Sequence, residues 1–115
     1  MLIRSQDKRM IVNFDNICTV SAFPEKDSED IYVEDGTGSL MVGRYSTKAK
    51  AMKVLDMIQE AYEEYKITCT FFTGFTGHRA IVESNDIHVN DFKELIKSFK
   101  KNMVFQMPED SEVEV

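Results

Sequence analysis

The apolar residues of this chain change their repeat once, near Tyr45, and that change limits what the chain can fold into. Before it, apolar side chains recur at every second position in short runs, the repeat of a half-buried strand. Residues 2–4 and 10–14 flank a Gln6-Asp7-Lys8 turn, and 17–23, 30–34 and 39–45 follow at short spacing. Met10, Val12 and Phe14 share one face of the second run, as Cys18, Val20 and Ala22 do in the third. Asp35-Gly36-Thr37-Gly38 is a hairpin signal, since Gly and Asp accept the backbone of a tight reversal. After Tyr45 the repeat becomes helical: Ala51, Val54, Leu55, Ile58, Ala61, Tyr62 and Tyr65 fall on one stripe of a helix over 47–65, capped by Ser46 or Thr47. Strands first and a covering helix after them define an α+β domain.

Further along, 67–73 and 79–83 read as a second hairpin, joined by Gly74-Phe75-Thr76-Gly77-His78. Asn90 then caps a second, shorter helix to Asn102, with Phe92, Leu95, Ile96 and Phe99 on one face, Asp91 and Glu94 early, and Lys97, Lys100 and Lys101 late. Residues 103–107 read as a last short strand. The expected architecture is a single α+β domain over 1–108: a mostly antiparallel meander sheet of about five to seven strands packed on the long helix. The second helix covers an edge or end of that sheet. Residues 109–115 are expected to trail as an acidic, mobile tail.

At 115 residues, 43% apolar and 30% charged, the chain is large enough for one core without disulfide or metal staples. It holds no run of about 18 apolar residues to span a bilayer, and its start, MLIRSQDKR, has no secretory core. The cytoplasm is therefore the expected compartment, with no membrane partner. A net charge of −6 works against nucleic-acid binding. The acids are concentrated: 24–35 carries six with one lysine, and 109–115 carries four with no base. On the first helix, Lys48, Lys50 and Lys53 crowd the N-terminal half against the helix dipole, which solvation or an acidic neighbour such as the 24–35 loop offsets in preference to a bound anion. Cys18 and Cys69 sit in β-branched surroundings and read as small core residues, and His78 and His88 have no metal-ligand spacing, so no cofactor or metal is expected.

No phosphate-binding glycine loop, nucleophile elbow or zinc-protease motif is present, and the chain reads as non-catalytic. The most unusual stretch is 71–79, where Phe75 stands between glycines beside His78 and Arg79. With Arg44 or Lys48 nearby, such a loop can stack a ring and pair a phosphate, which is the small-ligand or nucleotide-binding reading. Seven Met and eight Phe are more than one small core readily hides, and this favours an interaction module that binds itself or a host protein through an exposed strand edge or the apolar remainder of one helix.

With MLIRSQDK at the start, Val12-Asn13-Phe14-Asp15-Asn16-Ile17 after it, Gly43-Arg44-Tyr45-Ser46 leading into Ala49-x-Ala51-x-x-Val54-Leu55-Asp56-x-Ile58, and Val104-Phe105-Gln106-Met107-Pro108 near the end, the chain resembles a group of small uncharacterised proteins of Firmicute bacteria and their prophages. The likeness spans 1–60 and 103–113 best. It implies an accessory or phage-linked setting and no mechanism.

Overall fold

The computed structural model describes residues 1–77 and 89–115. In chain order it holds β1 (Leu2–Arg4), β2 (Ile11–Asn13), a 3-10 turn (Phe14–Asn16), β3 (Thr19–Pro24), β4 (Glu29–Glu34), β5 (Ser39–Tyr45), α1 (Lys48–Gly77), α2 (Val89–Met103), β6 (Val104–Gln106) and a 3-10 turn at Asp110–Glu112. The fold is α+β, with strands dominating the first half and one long helix following them.

The strands form two three-stranded sheets rather than the single meander expected from the sequence, in the orders β2-β1-β6 and β3-β4-β5. Two local causes separate them. The 3-10 turn at Phe14–Asn16, held by Asn13 Oδ1 accepting the Asp15 amide at 3.0 Å, breaks the path between β2 and β3. The other side of β1 is occupied by β6, which pairs with it in parallel, Ile3 opposite Phe105. The sheets meet where the Gln6 amide donates to the Val42 carbonyl at 2.8 Å. There the Gln6 side chain also accepts from the Arg44 amide at 2.9 Å and donates to the Arg44 carbonyl at 3.0 Å.

The core lies between the sheets and α1. Ile3 and Val12 come from the first sheet, Ile31, Val33, Val42 and Tyr45 from the second, and Ala51, Val54 and Ile58 from the helix stripe. In β5, Met41 opposes Tyr32 and Gly43 opposes Ile31, so Val42 has no opposite residue. This bulge lets Val42 and Tyr45 both turn inward. The hairpin at 35–38 forms as expected: Gly36 has φ +93°, and Asp35 Oδ1 accepts from the Thr37 amide, the Thr37 hydroxyl and the Gly38 amide.

Helix α1 continues through 67–73 and on to Gly77, correcting the hairpin expected there; the second arm of that hairpin, 79–83, lies outside the described residues. At 30 residues it is about 45 Å long, well beyond the reach of the sheets. The helical stripe in fact runs on: Tyr65, Thr68 and Cys69 continue the spacing of Ile58 and Tyr62, while Ile67 is 70% exposed. The extension rests on α2, where Asn102 Nδ2 donates to Thr68 Oγ1 at 2.9 Å. Helix α2 thus packs on α1 and leads into β6, the edge strand of the first sheet. Such packing outweighs the weak strand preference of Thr and Ile.

Residues 107–113 are folded onto the body, which corrects the expectation of a trailing acidic end. Met107 and Val113 are buried, and the Tyr45 hydroxyl donates to the Pro108 carbonyl at 2.8 Å. Asp110 reaches the start of α1, accepting the Ser46 amide at 2.7 Å while Lys50 Nζ lies 3.4 Å from its other oxygen. The acid beside these lysines is thus Asp110 of the chain end, paired with Lys50, and not the 24–35 loop expected to compensate them. Cys18 is exposed rather than a core residue, because it precedes β3 at the rim of the sheet, and Cys69 is half-buried on α1.

Candidate functional site

Two surface features combine apolar and charged groups. The first is the outer face of the β3-β4-β5 sheet. Strand alternation and the register put Ser21 and Phe23, Asp30 and Tyr32, and Met41 and Arg44 on that face. Phe23 is 51% exposed and Met41 41%, and the Phe23 and Tyr32 rings meet edge-on at 6.0 Å. Arg44 binds Asp30 through two hydrogen bonds, Nε to Oδ1 at 3.1 Å and Nη2 to Oδ2 at 3.0 Å, and Ser28 Oγ donates to Asp30 Oδ1 at 2.9 Å.

Asp30 is fully buried beneath this arrangement, whereas the Arg44 side chain is 62% exposed. The Arg44 hydrogen bonds hold the Asp30 carboxyl below its ordinary range against the opposing effect of burial, with Ser28 adding to the effect. The same pairing pushes the guanidinium of Arg44 further toward its charged form. Burial and the nearby Glu25 carboxylate, 3.3 Å from the Tyr32 hydroxyl, raise the Tyr32 phenol. The face is thus a fixed cation set among aromatic and Met side chains, with acids Glu25 and Glu34 near its ends.

The second feature is an open groove of about 480 Å3 between the start of β3 and helix α1. Phe14, Ile17 and Val20 line one side together with Asp15, Cys18 and Thr19, and Tyr62 and Lys66 line the other. The Phe14 and Tyr62 rings lie 5.0 Å apart, and Lys66 Nζ stands 5.4 Å from the Tyr62 ring centre. Asp15 lies 3.8 Å from the terminal ammonium of Met1.

Of the residues singled out in the sequence, Arg44 stands on the outer sheet face and is committed to Asp30. Lys48 is the exposed first residue of α1. Phe75 belongs to α1, so the glycine-flanked loop that was to present it is helix, and His78 and Arg79 lie outside the described residues. Sequence reasoning missed Phe23, Asp30, Tyr32 and Met41 as a group. Their signal was available in the alternation: Phe23, Tyr32 and Met41 are apolar at positions where an outward face should be polar. The groove was out of reach, because Phe14 and Tyr62 are brought together only by packing.

Among the described residues no group of three His, Cys, Asp or Glu could hold a metal ion, and no helix is long and apolar enough to cross a membrane. Comparison with protein-family models, with curated proteins and with solved structures finds no match.

Proposed function

We propose that this chain is a non-catalytic interaction module that self-associates through the outer face of the β3-β4-β5 sheet. The observation that supports it is the exposure of Phe23 and Met41 around Tyr32 and Arg44 on a face that strand alternation would otherwise leave polar. Tyr, Phe, Met and Arg are the side chains that supply most binding energy at interfaces. Arg44 is held rigid by Asp30, so little of its freedom remains to be lost on association. A two-fold contact would bring Arg44 of each copy toward acids such as Glu25 of the other, a pairing that an isologous interface makes twice. The resemblance adds the setting, an accessory or phage-linked bacterial protein. The competing small-ligand reading loses the loop on which it placed Phe75.

Analytical ultracentrifugation across micromolar to millimolar concentration tests the proposal. A reversible dimer is expected, weakened at least tenfold by Phe23→Glu, which places a charge at the centre of the contact. A strict monomer throughout would reject self-association, and a dimer indifferent to Phe23→Glu would reject this face.

A further inference from the structure

We infer that strand β2 pairs antiparallel with β2 of a second copy of this chain, across a two-fold axis at Val12, so that the two β2-β1-β6 sheets join into one continuous sheet. This contact lies on the first sheet, apart from the outer face of the second, and does not depend on it.

Strand β2 is an edge, with β1 on one side only. Its ladder fixes which backbone groups face outward. The Ser5 amide donates to the Met10 carbonyl at 2.8 Å and the Phe14 amide to the Met1 carbonyl at 3.0 Å, so alternation makes Ile3 and Val12 the hydrogen-bonded pair between them. Ile11 and Asn13 therefore turn their N–H and C=O groups away from β1. Among the described residues no hydrogen bond reaches those groups, and both residues are exposed, Ile11 to 59%. Free donors and acceptors at an edge are a template for another strand.

Register and charge select the occupant. Turning a second β2 about Val12 sets Ile11 opposite Asn13 of the other copy and Asn13 opposite its Ile11, which pairs all the free groups at once. The same turn sets Met10 against Phe14 of the other copy on the core side. Past the strand ends it brings Arg9 toward Asp15 of the other copy, and the two-fold axis makes that pair twice. Arg9 is exposed and has no ion pair among the described residues, while the Asp15 side chain is 56% exposed and lies 3.8 Å from the terminal ammonium of Met1. The neighbouring registers fit less well. Setting Ile11 on Ile11 brings Asp15 against Asp7, and setting Asn13 on Asn13 leaves the Ile11 groups unpaired with Asp15 beside them. The net charge of −6 opposes the meeting of two copies, but β2 itself is basic at its start, with Lys8 and Arg9, and acidic at its end.

Apolar surface at the same edge adds to the contact. A cleft of about 140 Å3 beside it is lined by Val12, Ile17, Val33 and Leu40, and Leu40 is 49% exposed although the register puts it on the inner face with Val33. Val12 of a second copy arrives at the mouth of that cleft and covers surface that a single chain leaves open to water.

The test uses the full chain carrying Phe23→Glu, which weakens the sheet-face contact and leaves this edge unaltered, so the two proposals stand or fall separately. Backbone 15N spectra and amide exchange are followed from micromolar to millimolar protein, with sedimentation alongside. The expected result is a reversible dimer whose formation shifts the Ile11 and Asn13 amides and slows their exchange. Arg9→Asp and Asp15→Arg should each weaken it about tenfold, because like charges then face each other at both ends of the contact. An equimolar mixture of those two variants should associate as the parent does, since each copy supplies the charge that the other lacks. Both side chains are exposed, and recovery in the mixture requires that both variants are folded. A monomer at millimolar concentration, shifts that bypass Ile11 and Asn13, single variants that associate like the parent, or a mixture no better than its components would each overturn the proposal.

Discussion

Gly43 shows how finely single residues are fitted here. A Cβ at this position would stand 3.0 Å from Met107 Cε and 3.0 Å from Tyr45 Cε2, and 3.1 Å from the Tyr45 hydroxyl oxygen. Gly43→Ala is therefore expected to push Tyr45 off the Pro108 carbonyl and destabilise the fold by about 1–3 kcal/mol, measured by urea unfolding. The Arg44–Asp30 pair makes a prediction in pH. Asp30 has its carboxyl held below the ordinary value of 3.8, so its contribution is fully present above that value and is lost as pH falls through the lowered one. Arg44→Ala should lower stability at neutral pH, because it leaves the buried Asp30 carboxylate without its cation. The gap between variant and parent should then shrink as pH drops below about 4, the ordinary carboxylate range. A gap that stays constant in urea titrations from neutral to acid pH would show that the pair carries no stability.

At the scale of elements, helix α1 depends on a segment distant in sequence. Asp110 accepts the Ser46 amide just before the helix and pairs with Lys50 in its first turn, while Thr47 Oγ1 accepts the Lys50 amide at 3.2 Å. The Asp110 carboxyl is held below its ordinary range, first by the Ser46 amide and then by Lys50. Asp110→Ala should therefore lower stability, since the Ser46 amide and Lys50 both lose their partner. Ending the chain after Pro108 should cost more, about 2–4 kcal/mol, because the burial of Val113 is lost as well. Thermal unfolding by circular dichroism separates this from a purely solubilising end, whose removal would leave Tm unchanged. The far half of α1 has its own test. Thr70→Pro would remove an amide donor inside the helix and should cost about 3 kcal/mol or more, together with lost helical signal. An unchanged spectrum would contradict a continuous helix through 67–73.

At the scale of the whole molecule, two small sheets, a core between them and a pair of helices extending past them leave the second sheet with one face on the core and one outward. Much of this is legible in sequence. The alternation of 39–45, the Asp35-Gly36 hairpin and the stripe from Ala51 to Tyr65 each report a local preference that burial reinforces, and each appears in the structure. The candidate sites are less legible. Arg44 was identified, but the Asp30 that holds it across the strand ladder was not. Residues 67–73 were misread because alternation and helical spacing coincide over so short a run. Ile67, Cys69 and Phe71 fit the first, while Tyr65, Thr68 and Cys69 fit the second.

What the sequence by itself determined is therefore the α+β class, the strands through Tyr45, the start of α1 and the short helix before β6, because periodicity, turn glycines and caps act within a few residues of one another. Only the tertiary structure decided that the strands divide into two sheets, that β6 returns to lie parallel to β1, that α1 runs on to Gly77, and that the acidic end caps that helix. Each of those outcomes rests on contacts between residues far apart in the chain, such as Ile3 with Phe105, Thr68 with Asn102 and Ser46 with Asp110. Local preference differs by only a few tenths of a kcal/mol to about 1 kcal/mol per residue between helix and strand, and distant packing readily exceeds it.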